Sequence, residues 1–123
     1  MSIEQFAKRW AQTPVLSGLP AAVAAAVHAD RLRSAPAGLA RALRGLGTAA
    51  LPSLWPRLVE LAVPVTLVAG ERDAKFTQLA REMAAAIPAA TLAIVPDAGH
   101  AIHLEAPARI AELLACAPPA GAC

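Results

Sequence analysis

Two short apolar segments constrain the fold more than any other feature of this 123-residue sequence. Val63–Ala69 and Thr91–Val95 are rich in β-branched residues, which is typical of strands buried on both faces. Phe76–Ile87 lies between them and has apolar residues at helical spacing. This order predicts a parallel β-α-β unit with a right-handed crossover, and therefore an α/β fold.

The number of strands sets a second constraint. Two parallel strands do not form a stable sheet alone, because parallel strands require neighbours and helices on both faces. The sequence contains no third convincing strand. Either the chain is part of a larger structure, or its strands pair with another chain.

The rest of the chain is predicted to be mostly helical. Prolines and glycines interrupt the first half, and apolar residues at helical spacing fill the intervals. The predicted helices are a first one that begins near Ile3 and ends at Pro14, then Ala21–Arg33, Gly38–Leu46, a short one from an N-cap at Ser53 through Leu61, and Ala106–Ala115. The predicted organisation is a helical segment (1–60), an α/β segment (61–115) and a Pro/Ala-rich tail (116–123).

Composition and charge argue against several classes of function. The formal charge is only +2, without the clustered basic residues that nucleic acid or an anionic membrane would require. The longest weakly polar run, 19–27, is too short to span a bilayer. The only cysteines, Cys116 and Cys123, lie in the tail, which favours free thiols in a reducing cytoplasm. We therefore expect a cytoplasmic protein with no nucleic-acid or membrane partner.

Residues with catalytic chemistry follow both predicted strands. Asp73 comes shortly after the first strand, and Gly99-His100 follows the second. Functional residues of open parallel sheets collect just past the carboxyl ends of the strands. A carboxylate beside a histidine fixes the imidazole tautomer, so that the ring can act as a base. The alternative is that Asp73 only caps the next helix and His100 is an ordinary loop residue.

Other candidate sites are weaker. His100, His103 and Glu105 are close in sequence, but they lack a further well-placed ligand, so no metal site is predicted. Cys116 has no nearby base, and an inert thiol is the simpler interpretation. His28 lies within a helical run and is expected to be partly buried.

The residues after the strands also resemble those of a known family. Gly70-Glu71-Arg72-Asp73 with Lys75-Phe76, followed by Ala98-Gly99-His100 and His103-Leu104-Glu105, resembles the C-terminal part of α/β-hydrolase-fold proteins. More narrowly, the first of these stretches resembles the 2-succinyl-6-hydroxy-2,4-cyclohexadiene-1-carboxylate synthase family of menaquinone biosynthesis. The segments around Trp10 and Arg33 resemble that family's helical cap, so the resemblance extends from Phe6 to about Leu114.

The resemblance implies a fold, a reaction and a set of site residues. The fold would be a helical cap remnant followed by the last β-α-β-α part of the hydrolase core. The reaction would be a cofactor-free elimination of pyruvate from a polycarboxylate substrate. Asp73 would be the triad acid and His100 the triad base, while Trp10 and Arg33 would face the substrate.

The sequence departs from the family at the nucleophile. The family's serine belongs on a G-x-S-x-G turn between a strand and a helix. The four serines, Ser2, Ser17, Ser34 and Ser53, do not lie in that frame. We therefore expect a partial form of the synthase that is inactive alone and requires a partner chain to supply the N-terminal core. The alternatives are part of a general carboxylic-ester hydrolase, or a non-catalytic module that binds a partner by strand addition.

Overall fold

The computed structural model describes residues 1–116, and its contacts divide the chain into two compact units, one from Met1 to Trp55 and one that begins at Pro56. The predicted tail, apart from Cys116, lies outside the described residues. Cys116 follows the last helix and is exposed. Within residues 1–116, no helix is long and apolar enough to cross a membrane.

The first unit contains three α-helices. They are α1 (Ile3–Ala11), α2 (Ala21–Leu32) and α3 (Pro36–Leu46), followed by a 3-10 turn at Thr48–Ala50. The Ser2 hydroxyl accepts a hydrogen bond from the Gln5 N–H, and the Gln5 side chain accepts one from the Ser2 N–H, so a capping box begins α1. The Ser2 hydroxyl and the Glu4 backbone N–H lower the pKa of the exposed Glu4 carboxyl. That shift favours a negative charge at the positive end of the helix.

Two predicted helices of this region differ from the structure. The third helix begins at Pro36 rather than at Gly38, because proline fits the first helical position, where no N–H is needed. The helix predicted from Ser53 to Leu61 is a 3-10 helix over Trp55–Glu60. Ser53 is therefore not adjacent to the first residue of that helix and does not have the predicted N-cap position.

The second unit has the predicted β-α-β order. Its elements are β1 (Val65–Gly70), α4 (Ala74–Ala86), β2 (Ala90–Val95), a helical turn α5 (Ile102–Glu105) and α6 (Pro107–Ala115). The two strands are parallel, and the register runs from Val65 opposite Ala90 to Gly70 opposite Val95. Helix α4 packs against both strands. The predicted α/β class is confirmed, and the turn α5 was not predicted.

The core of the second unit is built from small side chains. Its buried apolar residues are Ala69, Ala80, Ile87, Val95, Ala98 and Ala101. Several larger apolar side chains are exposed instead, namely Val59, Leu61, Val63, Phe76, Leu92, Leu104 and Leu114. Among residues 1–116 the sheet has only two strands, so each strand has one edge without a paired strand. Alanine supplies much of the apolar content of the sequence, which explains why small side chains dominate this core.

Close packing of backbone against backbone occurs where the strands end. A Cβ atom on Gly70 would lie 2.2 Å from the carbonyl oxygen of Gly99 and 2.5 Å from that of Ala98. Carbon cannot approach oxygen so closely without displacing one of the two loops. Glycine at position 70 therefore allows the segment after β1 to lie directly against the segment after β2.

We predict that Gly70→Ala lowers the free energy of unfolding by about 1–3 kcal/mol, because rigid backbone surrounds the added methyl group. Urea titration followed by circular dichroism measures the change. Gly45→Ala is the control, since nothing lies within 4 Å of a Cβ at that position of α3. Alanine there should raise stability by roughly 0.5–1 kcal/mol. Equal stability of the Gly70→Ala variant and the unmodified chain would contradict the packing described here.

Candidate active site

The site lies where the two parallel strands end. Gly70 and Val95 are opposite each other at the last position of the register, so the segments after β1 and β2 leave the sheet side by side. Two backbone hydrogen bonds join these segments, from the Glu71 N–H to the Val95 carbonyl and from the Arg72 N–H to the Ala98 carbonyl, each 2.9 Å long. The loops that carry the predicted acid and histidine are therefore held together by their own backbones.

Asp73 and His100 form a direct hydrogen bond. The distance from His100 Nδ1 to Asp73 Oδ2 is 2.6 Å. The Asp73 side chain is 6% exposed, whereas that of His100 is 34% exposed. The carboxylate is thus shielded from solvent, while the imidazole remains accessible from one side. A buried acid behind a partly exposed histidine is the arrangement of the last two members of a catalytic triad.

Asp73 also begins helix α4. Its Oδ1 atom accepts a hydrogen bond from the Phe76 N–H at 3.2 Å, which makes Asp73 the N-cap of the helix. The two interpretations left open by the sequence, helix cap and histidine partner, therefore both describe Asp73. One oxygen of the carboxylate serves each contact.

The hydrogen bond determines which histidine nitrogen is available for chemistry. When Nδ1 donates its proton to Asp73, Nε2 carries the lone pair and can accept a proton. The Phe76 ring lies against the imidazole, with ring centroids 4.6 Å apart and planes tilted by 54°. The acid and the aromatic ring restrict the imidazole on two sides, so that Nε2 is held in a defined position.

A second buried carboxylate lies beside this pair. The Glu105 side chain is 3% exposed and accepts hydrogen bonds from the backbone N–H groups of Gly99 and Ala101. It also forms an ion pair with Arg72 at 2.8 Å. From the sequence alone, Glu105 is only a weak candidate metal ligand and part of the family resemblance. Its position in the turn just after the histidine loop is the signal that could have identified it as a loop anchor.

The turn after β2 brings the chain back towards the acid loop. Asp97 has φ 54°, in the left-handed region that aspartate tolerates better than most residues. Its N–H donates a hydrogen bond to the Glu71 carboxylate at 3.0 Å. Thr77, buried at the start of α4, donates its hydroxyl to the Gly70 carbonyl at 3.0 Å. These contacts place polar groups of both loops in one hydrogen-bonded network.

The other predicted site residues, Trp10 and Arg33, belong to the first unit. Trp10 stacks on Phe6 with ring centroids 5.6 Å apart and is 42% exposed. Arg33 is the C-cap of α2, and its side chain is 84% exposed and 3.6 Å from Asp30. The two residues therefore have separate neighbours within their unit. An exposed indole and an exposed guanidinium are both available for a ligand.

The other residues that could supply a nucleophile or a metal ligand include the four serines and His103. All four serines precede Pro56 in the sequence; Ser2 caps α1, and Ser17 donates to the Pro14 carbonyl. His103 is exposed on α5. Within residues 1–116, no group of three histidine, cysteine or acidic side chains is arranged to hold a metal ion.

Comparison with known proteins agrees with this architecture. The model of the alpha/beta hydrolase family matches residues 2–113. The chain is also similar to a solved structure, described as the structure of MenH from S. aureus, with a TM-score of 0.87 and 36% sequence identity. That match covers 93% of this chain and 44% of the other chain.

Curated relatives give the same result at the level of sequence. The chain is 39% identical over 108 residues to a putative 2-succinyl-6-hydroxy-2,4-cyclohexadiene-1-carboxylate synthase of Bacillus subtilis (strain 168), covering 85% of this chain and 39% of that protein. It is 39% identical over 106 residues to the synthase of Salmonella newport (strain SL254), covering 86% and 40%. The chain thus spans about two fifths of the length of these relatives. The predicted resemblance is confirmed, and the chain belongs to the alpha/beta hydrolase family, as a protein similar to the 2-succinyl-6-hydroxy-2,4-cyclohexadiene-1-carboxylate synthases.

Proposed function

We propose that this chain provides the acid and the base of a pyruvate-eliminating lyase of the 2-succinyl-6-hydroxy-2,4-cyclohexadiene-1-carboxylate synthase type. The observation that carries the proposal is the 2.6 Å hydrogen bond between Asp73 and His100 at the ends of two parallel strands. Many α/β hydrolases share an acid and a histidine in this arrangement, so the pair alone does not define the reaction. The choice of reaction is supported by the sequence identity to the synthases.

In the proposed reaction His100 is the general base. Asp73 accepts a hydrogen bond from the His100 Nδ1–H, which leaves Nε2 free to remove the proton of a serine hydroxyl. The serine oxygen then takes a proton from a ring carbon of the substrate. The electron pair of that C–H bond enters the ring system, and the C–O bond to the enolpyruvyl group breaks. The departing enolate takes up, at its methylene carbon, the proton held on His100 Nε2 and leaves as pyruvate, which returns the imidazole to its neutral form. No cofactor participates in these steps.

The serine is proposed to come from a polypeptide segment other than these 123 residues. None of the serines here lies in a G-x-S-x-G sequence, which is the turn that presents the nucleophile in this fold. The unpaired edges of β1 and β2 support the proposal, because further parallel strands of a hydrolase core would pair there. The partner is therefore proposed to be an N-terminal hydrolase core that carries the nucleophile.

Trp10 and Arg33 are proposed to contact the substrate. The substrate class is a polycarboxylate, and a guanidinium forms planar, paired hydrogen bonds with a carboxylate. Arg33 pairs with the exposed Asp30 at 3.6 Å, and its own side chain is 84% exposed, so its donors are open to solvent. The exposed face of Trp10 offers an apolar surface for the ring of the substrate.

The unpaired strand edges also favour a second function, that of a non-catalytic module which binds another protein by strand addition.

One experiment distinguishes the lyase from the binding module. The chain is mixed with the N-terminal part of the Bacillus subtilis relative, which precedes the matched region, and pyruvate release from 2-succinyl-5-enolpyruvyl-6-hydroxy-3-cyclohexene-1-carboxylate is measured. Release by the mixture but by neither part alone supports the lyase. Complex formation without release supports the binding module, and cleavage of a simple ester without pyruvate release supports a general ester hydrolase.

We predict that His100→Ala and Asp73→Asn each reduce kcat of the complemented enzyme, on the order of 10⁴-fold, because the base or its correct tautomer is lost. Asparagine is as good an N-cap as aspartate, so Asp73→Asn tests the carboxylate charge with α4 intact. His103→Ala is the control, as an exposed histidine on the adjacent helical turn. Unchanged pyruvate release by the His100→Ala enzyme would show that another group is the base.

We predict that Arg33→Gln raises KM for the polycarboxylate substrate roughly tenfold or more, with a smaller change in kcat, because one charge-assisted contact is lost. Arg41→Gln, on the exposed surface of α3, is the matched control. Steady-state kinetics of the complemented enzyme measures both constants. Equal KM values for the two variants would remove Arg33 from the proposed substrate contacts.

A further inference from the structure

The carboxylate of Glu105 occupies a central position between the loops that carry Asp73 and His100. We propose that Glu105 is a positioning residue that orients His100 towards Asp73 by holding the backbone on both sides of the histidine. The proposal rests on the proposed function in one respect, namely that His100 is the base. Neither the resemblance nor the pair Asp73–His100 by itself assigns this role to Glu105.

Glu105 accepts a pair of backbone hydrogen bonds around the histidine. Glu105 Oε2 accepts the Gly99 N–H at 2.9 Å, and Oε1 accepts the Ala101 N–H at 3.2 Å. These donors belong to the residues immediately before and after His100. The Ala101 N–H belongs to the peptide group directly after His100, and the Gly99 N–H belongs to the peptide group one residue before it, so the two bonds restrict the loop backbone on both sides of the histidine. The position of the imidazole therefore depends on the Glu105 carboxylate.

Glu105 is also connected to the loop that carries Asp73. Arg72 directly precedes Asp73, and its Nη2 atom lies 2.8 Å from Glu105 Oε2. The Arg72 N–H is also bonded to the Ala98 carbonyl in the histidine loop. Glu105 thus joins the segment before Asp73 to the segment around His100. The segments on both sides of the 2.6 Å contact between Asp73 and His100 are therefore bonded to the same carboxylate.

The Glu105 carboxylate fits closely against Gly99. A Cβ on Gly99 would lie 3.0 Å from Glu105 Oε1 and 3.3 Å from Oε2. Glycine at this position allows the carboxylate to lie against the loop backbone, where it reaches both N–H groups. The side chain is 3% exposed, so water does not compete strongly for these donors. Removal of the carboxylate would leave two backbone donors and a guanidinium without their shared acceptor.

A purely structural role is the competing explanation. Ala101 is the N-cap residue of α5, and Glu105 is the last residue of that turn, so the contact stabilises α5 as well. A structural role predicts a loss of stability with an unchanged Asp73–His100 hydrogen bond. A positioning role predicts that this hydrogen bond is weakened. The proton on His100 Nδ1 reports on the difference directly, because a strong hydrogen bond to a carboxylate shifts its NMR signal downfield and slows its exchange with water.

The test uses the full chain labelled with ¹⁵N-histidine, and it compares Glu105→Gln with Glu112→Gln. Glu112 is the matched control, because it pairs with Arg109 at 2.8 Å on the exposed surface of α6. We expect the His100 Nδ1 proton signal to be present in the unmodified chain and in Glu112→Gln, and to be lost in Glu105→Gln. Glu105→Asp retains the charge and should recover part of the signal.

Thermal unfolding is measured for each variant alongside the spectra. A Glu105→Gln chain that unfolds at a lower temperature but retains the Nδ1 signal would overturn the proposal, as would one that is unchanged in both measurements. Absence of the signal from the unmodified chain would also overturn it, since no hydrogen bond would be present to position. If Glu105→Gln does not fold, Glu105→Asp decides, because the shorter side chain retains the charge but cannot reach both backbone N–H groups with the same geometry. A full Nδ1 signal in that variant would overturn the proposal.

Kinetics of the complemented enzyme separates this proposal from the proposed function. Glu105→Gln should reduce kcat on the order of a hundredfold, the effect of misplacing a catalytic group by about 1 Å, with little change in KM. If the unmodified enzyme releases pyruvate and Glu105→Gln is as active as Glu112→Gln, the positioning role is wrong while the function stands. If the unmodified enzyme releases no pyruvate, the proposed function fails, and the NMR comparison still decides the role of Glu105.

Discussion

The parallel pairing of β1 with β2 is the constraint on which the rest of the site depends. Because both strands run in the same direction, their carboxyl ends meet at one edge, and the last pair in the register is Gly70 with Val95. Each loop begins at that point and can reach the other within a few residues. An antiparallel pair would place the same loops at opposite ends of the sheet. The Asp73–His100 contact is therefore a consequence of strand direction first and of side-chain chemistry second.

Much of this arrangement could be predicted from the sequence, because it depends on local signals. The β-branched runs predict β1 and β2, and the helical spacing between them predicts α4, since the crossover of a parallel pair needs a helix. The adjacency of Asp73 and His100 follows from their places after the two strands. An alanine-rich composition also predicts a core of small side chains, although it does not predict which residues are buried.

The rest could not be predicted, because it depends on contacts between segments. The Glu105 carboxylate bonds to the Gly99 and Ala101 N–H groups and to Arg72. Hydrophobic periodicity in the sequence does not predict these contacts. The turn α5 is only four residues long, too short for a periodic signal. Trp55–Glu60 forms a 3-10 helix where an α-helix was expected, because composition does not distinguish the two types of helix.

The two contacts of the Asp73 carboxylate have a consequence for the energetics of proton transfer. Oδ1 is held by the Phe76 N–H and Oδ2 by the imidazole, so the group cannot rotate about its Cβ–Cγ bond without breaking one of them. In the proposed reaction, the counter-charge would already be in place when His100 gains a proton, and few dipoles would have to reorient. The reorganisation energy of that step would be correspondingly small. The free energy needed to orient the carboxylate is supplied once, when the chain folds, rather than in each turnover of the proposed reaction.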